Sequence, residues 1–245
     1  MAVKKKAVAK KKAVTKKAVR KSVLVVWGGW SGHEPKECAD VVVPWLKSKG
    51  FRVVVTDSMD IYTNKRRMRA FDLVVPIWTM GEITGPQWQG LNDAVLNGTN
   101  VAGWHGGMCD AFRNNTGYQF MTGGQWVDHP GGIIRYKVNV TNQKDPITKG
   151  LKDFWMKSEQ YYMHTDPGNE VLATTTFSGR HGNSPWIKGT VMPVVWKRTY
   201  GSARIFYSSL GHVASEFKVP EVFEILKRGI LWAMREKVVS EYTGK

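Results

Sequence analysis

Apolar residues occur along the chain in short continuous runs that alternate with amphipathic stretches. The first run, Val23–Trp27, ends at Gly28-Gly29 and has the length and composition of a strand buried on both faces. Residues 36–49 follow with apolar side chains at helical spacing, and Gly50 stands where a helix commonly ends. The same alternation predicts further strands at Phe51–Thr56, Phe71–Trp78 and Thr99–Gly103 and helices at Asn64–Ala70 and Thr84–Asn97.

Strands and helices alternating at this spacing predict an α/β fold: an open, mostly parallel sheet with helices on both faces, as in flavodoxin-like proteins. The pattern becomes less regular after residue 115, and Gly117–Gly132 is predicted to be an irregular loop. Later strands are predicted at Ile133–Val140, Val171–Phe177, Val191–Trp196 and Arg204–Leu210, with a closing helix at Pro220–Met234. Without an internal repeat or a clear linker, one domain is expected over residues 23–240.

Ligands of open parallel sheets bind beyond the carboxyl ends of the strands. This rule selects three loops, Gly28–Pro35, Thr79–Gly85 and Trp104–Asp110. The third contains Gly103-Trp104-His105-Gly106-Gly107 between a predicted strand and a predicted helix, the layout of a nucleophile elbow. His105 replaces the usual Ser or Cys there and is suited to acid, base or metal-ligand chemistry. A simple Gly-rich turn is the alternative interpretation, and Gly106 is expected to let substrate approach closely.

Other histidines stand at comparable places. His33 lies in the loop after the first strand, and His212 follows the predicted strand 204–210. His129 occupies a loop that could cover the site, while Glu159 and His164 lie close together farther along the chain. His33, His105, His212 and Glu159 are therefore candidate catalytic residues, with His129 as a candidate substrate-binding residue.

Two chemistries remain open for this set. Imidazole suits Zn²⁺ and other first-row ions, which makes His33, His105, His212 and His164 candidate ligands of a divalent metal such as Zn²⁺. The local spacing contains no HxxxH or HxxEH motif, so the local sequence gives only a weak signal for a metal. Metal-free acid–base chemistry by His and Glu is the other possibility.

The high tryptophan content is the feature of the composition that bears on the class of substrate. The chain of 245 residues contains 11 Trp. Flat aromatic faces pack on sugar rings as well as in protein cores. Trp30, Trp104 and Trp126 lie in or beside the candidate loops and are the predicted sugar-packing residues.

Charge is concentrated at the N-terminus. The net charge is +16, and residues 1–22 hold ten Lys or Arg and no acid, which leaves about +6 for the remainder. This low-complexity tail is predicted to be disordered, with weak non-specific contact to nucleic acid through phosphate charge as the functional alternative. Two cysteines, the missing apolar segment of a signal peptide and the missing membrane-length apolar run favour a cytoplasmic protein without membrane contact.

Several segments resemble the ThuA-like (trehalose utilisation) family over about residues 23–236. They are Gly32-His33-Glu34-Pro35, Gly103–Gly107, Gly123-Gly124-Gln125-Trp126 with His129-Pro130, Asp145–Leu151, Glu159–Tyr162, Pro193–Trp196 and, most specifically, Tyr200–His212. The resemblance implies a fold similar to class I glutamine amidotransferases. Those enzymes carry Cys at the elbow and a His at a later strand end, so His105 at the elbow argues against glutamine hydrolysis here.

The family resemblance also implies a role in the utilisation of trehalose and related disaccharides, including oxidised keto-sugars. The expected activity is that of a hydrolase, lyase or isomerase on a sugar-type substrate. The alternatives are a non-catalytic sugar-binding or regulatory module and, from the tail, a nucleic-acid-associated protein. Assembly as a homo-oligomer is a further open expectation.

Overall fold

The computed structural model describes residues 20–236, 238 and 241. The strands are β1 Ser22–Gly29, β2 Arg52–Thr56, β3 Leu73–Thr79, β4 Asn100–Trp104, β5 Gly124–Asp128, β6 Ile133–Val140, β7 Phe154–Glu159, β8 Tyr162–Thr165, β9 Glu170–Thr176, β10 Val191–Tyr200 and β11 Ala203–Ser208. The helices are α1 Pro35–Ser48, α2 Lys65–Met68, α3 Gly85–Leu96, α4 Gly106–Cys109, α5 Thr116–Thr122 and α6 Pro220–Ala233.

Nine strands form one sheet in the order β2-β1-β3-β4-β11-β10-β9-β6-β7. The first five are parallel, and their order is the flavodoxin-like 2-1-3-4-5 when counted along the chain. Val23–Val26 of β1 have no exposed surface, as expected for a central parallel strand. The predicted α/β fold is therefore confirmed.

The remaining strands of the sheet are antiparallel neighbours, from the β11–β10 pair outward through β9 and β6 to β7. Strands β5 and β8 form a separate antiparallel pair. The prediction of an irregular loop over Gly117–Gly132 is wrong, because this segment holds most of α5 and all of β5. The Asn115 side chain accepts a hydrogen bond from the Tyr118 backbone and begins α5, and Gly123, at φ 82°, ends it.

Helices cover both faces of the sheet, as predicted. Apolar side chains of α1 and α6 pack in one core with inward-facing residues of β1, β3 and β6. Side chains of α3 and α5 pack in a second core on the opposite face. This leaves the strand ends and their loops as the place where polar side chains gather.

Most of the basic tail, residues 1–19, lies outside the described residues, so its predicted disorder and nucleic-acid contact stay predictions. Within the described part of the chain, no helix is both long enough and apolar enough to cross a membrane.

Candidate active site

The carboxyl ends of four adjacent parallel strands carry the polar residues of the site. His33 follows β1, Thr79 ends β3, His105 follows β4 and His212 follows β11. The rings of His33 and His105 have centroids 4.7 Å apart, and that of His212 lies 5.0 Å from His33. Two of the loops selected by the strand-end rule thus bring His33 and His105 together, and His212 joins them from the loop after β11.

His105 occupies a sharp turn between β4 and α4. Its backbone has φ 44° and ψ −140°, a conformation that L residues rarely adopt and that a strand-to-helix elbow requires. Its backbone N–H donates to the Ser208 carbonyl at 2.7 Å, and its Nδ1 lies 2.8 Å from the Ser209 carbonyl oxygen. Tyr161 stacks on the ring with centroids 4.1 Å apart. The turn is therefore held through its backbone, and the imidazole is held through one ring nitrogen and one ring face.

Glu159, at the end of β7, lies at the centre of the histidines. One carboxylate oxygen, Oε2, is 3.1 Å from His105 Nε2 and 3.7 Å from His33 Nε2. The other, Oε1, is 3.6 Å from both His212 Nε2 and His129 Nε2. Four imidazoles thus direct the same ring nitrogen toward one carboxylate.

Burial and this carboxylate set the protonation of the site. Burial lowers the pKa of His105 to about 4, against a smaller opposing effect of its hydrogen bond with Glu159. Burial also lowers the pKa of His212 below its ordinary value. Burial alone would raise the pKa of Glu159, but hydrogen bonding with His105 and His33 holds it well below its ordinary range. At neutral pH the centre is an ionised carboxylate facing neutral His105 and His212.

Solvent reaches the cluster from one side. The exposed side-chain fractions are 1% for His105 and 8% for His33, compared with 14% for His212 and 35% for His129. His105 and His33 therefore form the closed inner part of the site, and His129 and His212 form its mouth.

Backbone strain is concentrated at the same edge. Among the described non-glycine residues, six have a positive φ. Glu34, Met80 and His105 lie in the loops after β1, β3 and β4, and Phe112, beyond α4, donates its backbone N–H to the Met80 carbonyl. Each such conformation costs on the order of 1–3 kcal/mol and persists where the surrounding structure enforces it. Strain of this kind clusters at functional sites, in agreement with the histidine–carboxylate cluster.

Comparison with known proteins identifies the family. The sequence model of the ThuA family, described as trehalose utilisation, matches residues 22–233. The chain belongs to the ThuA family. No curated protein is similar enough in sequence to count as a match.

Solved structures share the ThuA-family fold at low identity. A ThuA-like protein from Parabacteroides merdae ATCC 43184 has a TM-score of 0.70 and 19% identity, covering 92% of this chain and 94% of that one. A ThuA-like protein from Bacteroides uniformis ATCC 8492 has a TM-score of 0.67 and 18% identity, covering 88% and 95%. The mmIFT52 N-terminal domain has a TM-score of 0.62 at 8% identity, covering 89% and 99%. Because such different proteins share the fold, the activity of this ThuA-family chain must be argued from its site.

The tryptophans predicted to pack on sugar are placed differently from one another. Trp30 is 46% exposed and its ring lies edge-on to His33 with centroids 4.8 Å apart. Trp126 is half-buried beside His129, and the Arg113 guanidinium lies 4.3 Å from its ring centroid. The prediction for Trp104 is wrong, because this side chain is buried in the core against Phe217 and presents no face to a substrate.

His164 does not join the site. It is exposed on β8, opposite Gln125 of β5, and it is outside the group of ligand atoms formed by His33, His105, Glu159 and His212. The expectation that His164 is a metal candidate is therefore wrong: next to Glu159 in sequence, it is carried away from the carboxylate by the start of a new strand.

Gly106 has a steric role in place of the predicted contact with substrate. It is buried beneath His33, and a Cβ at this position would lie 2.4 Å from His33 Nδ1. Only glycine therefore leaves room for the ring to sit beside Thr79, whose hydroxyl lies 2.9 Å from the same nitrogen.

A Gly106→Ala substitution is expected to displace the His33 ring and to lower turnover by about 100-fold, the usual effect of a catalytic group misplaced by about 1 Å. Steady-state kinetics and thermal unfolding of the variant measure this. Gly85→Ala is the matched control, because a Cβ there meets nothing within 4 Å. Equal kinetics of the two variants would show that the position of His33 is unimportant.

Three residues of the site were not predicted from the sequence. Tyr161 stacks on His105, and Thr79 holds His33. Asp110 is buried and forms a two-bond ion pair with Arg113, at 2.6 and 3.0 Å. Thr79 and Asp110 stand at the ends of the predicted loops, so their positions in the sequence could have identified them as site residues. The stacking of Tyr161 on His105 depends on the path of β7 and β8 and has no such local signal.

Proposed function

We propose that this chain is an enzyme of sugar utilisation that acts on a sugar or keto-sugar related to trehalose. One observation carries the proposal: the Glu159 carboxylate lies within 3.7 Å of the Nε2 atoms of four histidines at the carboxyl edge of the sheet. Functional groups of open α/β sheets collect at this edge. Within this set the pKa values of Glu159, His105 and His212 are lowered, and shifted pKa values of clustered groups are characteristic of acid–base sites.

The residues divide into inner and outer roles. His129 at the mouth exchanges protons with substrate, since it is the histidine of the cluster that solvent and ligand reach most easily. The ionised Glu159 stabilises the imidazolium that forms when His129 accepts a proton. His105, fixed by Ser209 and Tyr161, lies in the closed inner part of the site with its Nε2 3.1 Å from the carboxylate. Hydrolysis, elimination and isomerisation of a sugar all need proton transfers of this kind.

The surroundings offer groups that suit a sugar. Trp30 presents an exposed ring next to His33, which can pack on the apolar face of a pyranose. The indole N–H of Trp126 is buried and has no hydrogen-bond partner among the described residues, and a sugar hydroxyl bound beside His129 would supply one. Its ring face is covered by Arg113, and Trp30 is therefore the stronger packing candidate.

Glutamine hydrolysis by a thiolate does not suit this site. The elbow carries His105, and burial raises the pKa of Cys38 to about 12. Burial likewise raises the pKa of Cys109, which lies inside the second core and away from the elbow. A thiol that stays protonated and buried is a poor nucleophile.

Incubation of the native protein with 3-keto-trehalose and, separately, with trehalose tests the proposal. Product formation is followed by NMR, with and without EDTA. We expect conversion of at least one of the two sugars. Binding of the sugars by calorimetry without any product would instead support a non-catalytic sugar-binding module and would contradict the proposed activity.

A further inference from the structure

The ligand atoms of His33, His105, Glu159 and His212 lie within 4.8 Å of one another. Bonds of about 2.0–2.2 Å around a tetrahedral ion place the ligand atoms about 3.4 Å apart. The Nε2 atoms of His33 and His105 lie 3.7 and 3.1 Å from Oε2 of Glu159, and that of His212 lies 3.6 Å from Oε1. These nitrogen–oxygen separations are close to the tetrahedral value.

Hydrogen bonding shows how His105 is prepared for such an ion. The Ser209 carbonyl can only accept, so Nδ1 of His105 carries the proton of this contact. In the neutral ring Nε2 then carries no proton, and its lone pair faces the Glu159 oxygen, which lies 3.1 Å away. Two acceptors at this distance repel each other unless a cation lies between them. That cation is either a proton, which gives an imidazolium–carboxylate pair, or a metal ion.

The contacts that His105 and His33 make through Nδ1 favour a metal ion over a proton at this place. Histidines that bind metals through one ring nitrogen characteristically use the other to contact a carbonyl or another polar group, which fixes the tautomer and the ring orientation. His105 contacts Ser209 in this way, and His33 contacts the buried hydroxyl of Thr79 at 2.9 Å. If the site only held a proton between His105 and Glu159, the His33 ring would not need a similar contact through its other nitrogen.

We propose that His33, His105, Glu159 and His212 together bind one first-row divalent cation such as Zn²⁺. Three imidazoles and one carboxylate suit this class of ion, whereas Mg²⁺ and Ca²⁺ prefer oxygen ligands. His129 Nε2 lies 3.6 Å from the same carboxylate oxygen as His212, but it is outside the group of ligand atoms that lie within 4.8 Å of one another. It therefore stays available for proton transfer. The proposal deepens the proposed function and rests on the same site, where the ion would polarise a carbonyl or hydroxyl oxygen of a sugar.

Metal binding is measured on the full chain after removal of metal by a chelator. The protein is titrated with Zn²⁺ by calorimetry, and with Co²⁺ while the visible absorption of the bound ion is recorded. We expect one ion per chain and an absorption band of Co²⁺ bound to nitrogen and oxygen. His212→Ala, at the accessible side of the site, is expected to bind at least about 100-fold more weakly, and His164→Ala is expected to bind like the native chain.

Thr79→Val provides a second variant of nearly unchanged shape in which all four ligands remain. Loss of an outer contact typically lowers metal affinity by about 10–100-fold, and that decrease is expected here. Absence of Zn²⁺ binding by the folded native chain, or equal binding by the His212→Ala and His164→Ala variants, would overturn the metal site. Sugar turnover by the metal-free protein would also overturn it as a catalytic centre while leaving the proposed sugar activity intact.

Discussion

Replacement of Glu159 by Gln is expected to lower kcat/KM for the sugar substrate by about 10²–10⁴-fold, the range associated with loss of an acid–base group. The substitution keeps the shape of the side chain and removes the charge around which four imidazoles are arranged. Without that charge, the group that directly faces the four imidazoles no longer balances the charge of a proton or a metal ion at the centre. Steady-state kinetics at neutral pH measure the change.

Glu170→Gln is the matched control for this experiment. Glu170 is exposed on β9, where it contacts Lys197 at 3.2 Å, and Lys197 keeps its other partner Asp145. The control is expected to retain native kinetics, and both variants are expected to unfold cooperatively. If Glu159→Gln were as active as the control, the carboxylate would not take part in the reaction.

His129→Ala is expected to lower turnover by about 10²-fold or more while the protein keeps its metal content. His129 is the most exposed histidine of the cluster and contacts the carboxylate oxygen that His33 and His105 leave free. It belongs to the loop after β5 and not to the four-residue metal set. Kinetics and elemental analysis of the same preparation therefore separate proton transfer from metal binding.

His164→Ala is the control for the His129 substitution, since His164 is exposed on β8 outside the cluster. The control is expected to keep both turnover and metal. Joint loss of metal and activity in His129→Ala would place His129 among the ligands, and unchanged activity would remove it from the mechanism.

The parallel half of the fold was predictable because its strands are continuous apolar runs separated by helical periodicity. Val23–Val26 illustrate this, since all four are fully buried in β1. The strand-end rule then identified His33 and His105 without any knowledge of tertiary contacts. These predictions depend on local sequence and on one general property of parallel sheets.

The antiparallel part was harder to predict. Strand β7 was missed although Phe154 and Met156 are buried while Trp155 and Lys157 are exposed, an alternation typical of a strand with one solvated face. Strand β5 was missed because its Gly-rich start, Gly123-Gly124, favours a loop. Both strands depend on tertiary contacts, because strands at the sheet edge and in small sheets gain their stability from partners that are distant in sequence.

The site itself shows the same limit. Glu159 was a candidate from the sequence, yet nothing local predicts that a carboxylate at the end of the edge strand β7 meets histidines from β1, β4 and β11. Trp104 and Gly106 were assigned to substrate on their position in the loop, and burial decides otherwise. Which residue of an elbow faces the cleft and which faces the core depends on a few backbone angles that the sequence does not reveal.

The most direct measurement is a crystal structure of the Glu159→Gln variant with 3-keto-trehalose bound. We expect the carbonyl-bearing ring beside position 159, with His129 or His212 within hydrogen-bond distance of a sugar oxygen and Trp30 against the ring. A sugar bound on another surface while the histidine cluster stays inaccessible would contradict the assignment of this centre as the place of reaction.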